Sequence, residues 1–71
     1  VEFRVRDKVR IKKGETAGHY GTVTRVETGM FNTFYTVRLD YPRITHPEGK
    51  LKEIWDVRCK ASALELIREV N

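Results

Sequence analysis

The stretch Arg6-Asp7-Lys8-Val9-Arg10-Ile11-Lys12-Lys13-Gly14, resumed at Gly18-His19-Tyr20-Gly21-Thr22-Val23-Thr24-Arg25-Val26, decides how the chain is read. From Asp7 to Lys13 the residues alternate, with Val9 and Ile11 on one side and Lys8, Arg10 and Lys12 on the other. A period of two belongs to a strand with one face in the core and the other in solvent. The first element is therefore a half-buried strand with a cationic outer stripe. Gly14 to Tyr20 reads as a loop, and Gly21 opens a second strand that runs to Val26. Three glycines at 14, 18 and 21 predict backbone positions with positive φ or with another segment pressed close. Val23 and Val26 break the alternation, which predicts a bulge or sharp bend in the second strand.

The rest of the chain continues in short extended pieces. A turn around Thr28 to Asn32, pivoting on Gly29, leads to Thr33 through Asp40, where Tyr35, Val37 and Leu39 share one face and Phe34, Thr36 and Arg38 the other. Pro42, Pro47 and Gly49 predict a long, irregular surface loop from Tyr41 to Lys50. Glu53 to Cys59 reads as a fourth strand in which Trp55, Val57 and Cys59 recur at strand spacing, so that Trp55 is expected in the core or half-buried. After it, Ala61-Ser62-Ala63 suits one helical turn before a last strand through Leu64, Leu66 and Val70; a short helix from Ala61 to Val70 is the competing reading. The expectation is an all-β fold, a small five-stranded closed barrel whose closure protects the strand edges.

Size and composition bound the function. Seventy-one residues hold one domain, 1–71. A chain this short buries only roughly 60% of its unfolded surface, which leaves little room for a deep, dry active site. Hydrophobic residues at 39% and charged residues at 34% suit a folded, soluble chain. There is no apolar run of transmembrane length and no signal-peptide pattern, so a cytoplasmic or organellar soluble protein without membrane association is expected. Because the chain begins at Val1, an excised domain or processed product is equally compatible. Cys59 is the only cysteine, which excludes an internal disulfide and a cysteine-rich zinc site and suits a buried free thiol acting as a small hydrophobe. His19 and His46 stand 27 residues apart, with no metal-ligand spacing around either. No nucleophile elbow, phosphate-binding glycine loop or forced carboxylate pair is present, so neither catalysis nor a cofactor is expected.

The residues from Arg6 to Val26 resemble the KOW motif of ribosomal proteins and transcription-elongation factors: an acid before a Val-x-Ile strand, a glycine-bearing loop, then Gly-x-Val-x-x-Val. Asp7, Val9, Ile11, Gly14, Gly18, Gly21, Val23 and Val26 carry the likeness, and Ala63-Leu64-Glu65-Leu66-Ile67 is similar to the usual final turn and strand. The resemblance implies an SH3-like barrel that binds RNA, DNA or a nucleoprotein. The connection from Tyr41 to Lys50 is longer than a minimal KOW unit needs. A looser likeness, through Lys8-Val9-Arg10-Ile11, Gly21-Thr22-Val23 and Tyr35-Thr36-Val37-Arg38-Leu39, is to SH3-like accessory subunits of photosynthetic electron-transfer complexes. The SH3-like plasmid-borne dihydrofolate reductases line a shared pore with a polar-aromatic strand motif that this chain lacks.

Charge placement supplies the candidate site. Lys plus Arg number 14 against 10 Asp plus Glu, for a net charge of +4. Lys8, Arg10, Lys12 and Lys13, with Arg25 and Arg38, are expected to gather on outward strand faces, where phosphate oxygens are the natural ligand. The interspersed Asp7, Glu15 and Glu27 equally suit an ordinary solvated face. His19 and Tyr20 in the first loop, Phe31 at the second turn and Phe34 beside it are candidates for base stacking. Tyr20 and Phe34 could instead close the ends of a thin core. Met30 and Phe31, with the segment from Tyr41 to Lys50, offer the alternative of a protein-docking accessory subunit. A monomer is expected from barrel closure.

Overall fold

A computed structural model describes residues 2–68. The chain forms β1 (Lys8–Ile11), β2 (Tyr20–Thr28), β3 (Thr33–Thr45), β4 (Lys52–Lys60) and β5 (Leu64–Leu66), with single 3-10 turns at Pro47–Gly49 and Ala61–Ala63. All pairings are antiparallel, in one sheet ordered β4-β3-β2-β1-β5. The all-β expectation is met. Residues 61–66 form the turn and strand rather than a helix, while Val70 lies outside the described residues.

The period-two residues occupy the core as their spacing requires. Val9, Ile11, Val23, Tyr35, Val37, Leu39 and Leu64 are buried, joined by Phe3. Each contributes about 1.5–3 kcal/mol where a large apolar side chain leaves water completely. Phe3 meets Tyr35 edge to face, with centroids 5.3 Å apart and planes at 90°. The Tyr35 hydroxyl accepts the Glu2 backbone N–H at 3.2 Å, so the one polar atom of this core ring is satisfied.

Local exceptions shape the sheet. The register of β2 against β3 slips between Val23 and Arg25, which makes Thr24 the bulged residue the broken alternation anticipated. Ahead of β1, the Asp7 N–H donates to the Arg4 carbonyl at 3.0 Å, and the Asp7 carboxylate accepts the Arg4 N–H at 2.9 Å. This turn holds Arg6 at a φ of 82°, and the Arg6 N–H bonds the Val23 carbonyl at 2.7 Å. The acid that precedes the first strand therefore serves the backbone.

Two expectations are corrected. Residues 41–45 are not loop, since β3 runs on to Thr45; only 46–51 connect it to β4. Between the pairs Arg38↔Asp56 and Arg43↔Ile54, residues 39–42 of β3 face the single β4 residue Trp55. Pro42 sits in that bulge, where its missing N–H costs no ladder bond, so proline did not end the strand. The sheet also does not close into a barrel. β5 has only three residues, and these pair with β1, so neither β4 nor β5 finds a partner on its outer edge. The β4 edge instead faces the 12–19 loop across an open cleft of about 550 Å3, floored by Ile54, Val57, Cys59 and Ala63.

Candidate nucleic-acid interface

The outward residues of β1 to β4 form a continuous surface, set by direct cross-strand pairs. Lys8 lies opposite Thr22 and Thr22 opposite Arg38; Arg38 in turn faces Asp56, and Arg10 lies between Tyr20 and Glu65. These neighbours turn the expected cationic stripe into a lattice of ion pairs. The Lys8 ammonium donates to Asp40, Arg10 to Glu65 at 2.9 Å and Arg38 to Asp56 at 3.0 Å. Arg25 and Arg58 share Glu27, at 3.7 and 3.5 Å. Exposed pairs of this kind add little stability, yet they cancel the local charge that would attract phosphate. Arg10 holds the Glu65 carboxyl below its ordinary range and is itself raised, each through the hydrogen bond and then the opposite charge.

Lys12 and Lys13 are the exception among the grouped cations. Both are exposed, and among the described residues no carboxylate lies within 4.0 Å of either. The Lys12 N–H donates to the Ala63 carbonyl at 2.7 Å, which fixes this pair beside the 3-10 turn. Lys13 and Lys60 line the same cleft as Ala63. Across its mouth Arg43 of β3 pairs with Glu15 at 2.8 Å, tying the loop to the sheet where strands do not.

The aromatic candidates separate into three places. Tyr20 is 47% exposed and closes no core end; with half-buried His19 and the 79% exposed Tyr41 it lines a groove of about 500 Å3, based on Lys8 and Asp40. Phe31 stands 88% exposed beside Met30, 90% exposed, at the β2–β3 tip. Phe34 is half-buried on the outer sheet face, beneath Arg58 at 4.2 Å and Lys60 at 5.9 Å.

Arg58 and Lys60, absent from the expected cationic group, and Trp55, expected only as a core or half-buried ring, also lie on this surface. The alternation of Asp56, Arg58 and Lys60 on the outer side of β4 carries the signal for the two cations. Trp55 does not continue the inner row. The 39–42 bulge lets Ile54 line the cleft with Val57 and Cys59, while the Trp55 ring receives the Arg38 guanidinium at 4.8 Å. The half-buried Cys59 thiol is pushed up by burial, in keeping with an apolar packing role. Among the described residues no group of three His, Cys, Asp or Glu side chains could hold a metal, and no helix is long and apolar enough to cross a membrane.

Comparison with known proteins adds no relative: no protein-family model, curated protein or solved structure matches this chain.

Proposed function

We propose that this chain is a non-catalytic module that binds nucleic acid, or the nucleic-acid part of a nucleoprotein, through its phosphates. One observation carries the reading: beside the ion-paired lattice, Lys12, Lys13 and Lys60 have no carboxylate within 4.0 Å among the described residues. Lys13 and Lys60 share a cleft lining, so their charges reach one bound strand together. Cations free of internal partners neutralise phosphate without first giving up a carboxylate. The KOW-like opening of the chain points the same way.

The test compares two double reversals of equal charge. Binding of an oligonucleotide should fall steeply with salt, and Lys12→Glu with Lys13→Glu should weaken it and reduce the salt slope by about two. Lys50→Glu with Lys52→Glu, beyond the β3–β4 turn, should do much less. Equal losses from both variants, or no binding by the parent at low salt, would overturn the reading. The protein-docking alternative would then lead, because Met30 and Phe31 project almost fully exposed from the hairpin tip.

A further inference from the structure

We infer that the outer face of β3 and β4 is a stacking surface for unpaired bases, which makes single-stranded nucleic acid the ligand class. This rests on the nucleic-acid reading above and narrows it. Two aromatic rings lie on that face, each covered by a guanidinium: Trp55 by Arg38 at 4.8 Å and Phe34 by Arg58 at 4.2 Å. Each arginine is also held by a carboxylate, Arg38 by Asp56 at 3.0 Å and Arg58 by Glu27 at 3.5 Å. Ring below and acid beside restrict each guanidinium, so a planar group is presented outward before any ligand arrives.

A base can stack on such a plane or displace it and stack on the ring, and both modes require a base with a free face. Paired bases inside a duplex present only their edges. The two stacks are separated by the four β3 steps from Phe34 to Arg38, about 13 Å at ordinary strand rise. Bases stacked along one strand rise about 3.4 Å each. The interval therefore spans a few nucleotides, and one short strand reaches both places. Charge at the border of this face fits the same occupant: Lys60, 5.9 Å from the Phe34 ring and with no carboxylate within 4.0 Å among the described residues, lines the cleft that carries Lys13.

Trp55 is the only tryptophan, so its fluorescence reports on one of the two stacks directly. The intact chain would be titrated at low salt with a 12-nucleotide single strand, the same sequence as a duplex, and inorganic polyphosphate. The expected result is a saturable change in Trp55 emission with the single strand and none with the other two. Arg38→Lys keeps the charge but removes the plane. It should weaken single-strand binding by about tenfold and leave polyphosphate binding unchanged. If the duplex binds as tightly as the single strand, or binding leaves Trp55 emission unaltered, the stacking surface is refuted while the phosphate reading stands. Absence of binding by either nucleic acid refutes both.

Discussion

At the scale of single residues, the glycines of the first loop show how a sequence signal acquires a definite cause. Gly14 and Gly18 have φ values of 88° and 94°, a region in which other residues are strained. Gly21 is required by space instead: a Cβ there would lie 2.6 Å from Val37 Cγ1 and closer still to the Arg38 carbonyl oxygen. Because Val37 is buried and the carbonyl belongs to a paired strand, neither neighbour can retreat cheaply. Gly21→Ala should therefore cost about 1–3 kcal/mol, read as a lower urea midpoint with an unchanged slope. The need for glycines was legible in the spacing; which need applied at each position was not, since it depends on what β3 brings alongside. Candidate side chains divide in the same way. The outward direction of Lys8, Arg10 and Arg38 followed from alternation, but their neutralisation by Asp40, Glu65 and Asp56 is a matter of register across strands.

At the scale of elements, alternation marks the first four described strands, the fifth stands where a strand and a helix were both open, and proline does not stop β3 where the sequence suggests. Pro42 cannot donate to a ladder, which is why its segment is expected to be loop, and the ladder avoids it by a bulge of four residues against one. The same bulge sets Trp55 apart from Val57 and Cys59 and under Arg38, so a single irregularity explains both the strand length past Asp40 and why the ring is half-buried rather than in the core. Two comparisons separate this account from a general intolerance or tolerance of proline in β3. Pro42→Ala should shift stability by less than about 1 kcal/mol, because no backbone bond depends on the ring there. Thr36→Pro should cost about 3 kcal/mol or more, since Thr36 is paired on both sides, with Arg25 and with Arg58. Similar losses from the two variants in chemical denaturation would mean that the β3 extension past Asp40 is held in some other way.

At the scale of the molecule, the absent closure changes the reason for expecting a monomer. A closed barrel has no edges to protect, whereas this sheet leaves the nine-residue β4 unpaired on one side. Such an edge is a template for pairing with another copy unless something discourages it. Here charge takes that role: Lys52, Glu53, Asp56, Arg58 and Lys60 are all exposed along the strand. A second strand laid on the edge would have to desolvate several of these groups, and in an antiparallel self-pairing centred on Asp56 it would set Lys52 against Lys60 and Asp56 against itself. Like charges placed directly opposite one another disfavour strand pairing. The parent chain should therefore sediment as a single 8.3 kDa species over a wide concentration range. Replacing Lys52, Asp56 and Lys60 together with threonine keeps strand propensity and removes that repulsion. This variant should show concentration-dependent association that the parent lacks. A parent that already dimerises, or a variant as monomeric as the parent, would show that edge charge is not what keeps the open sheet from pairing.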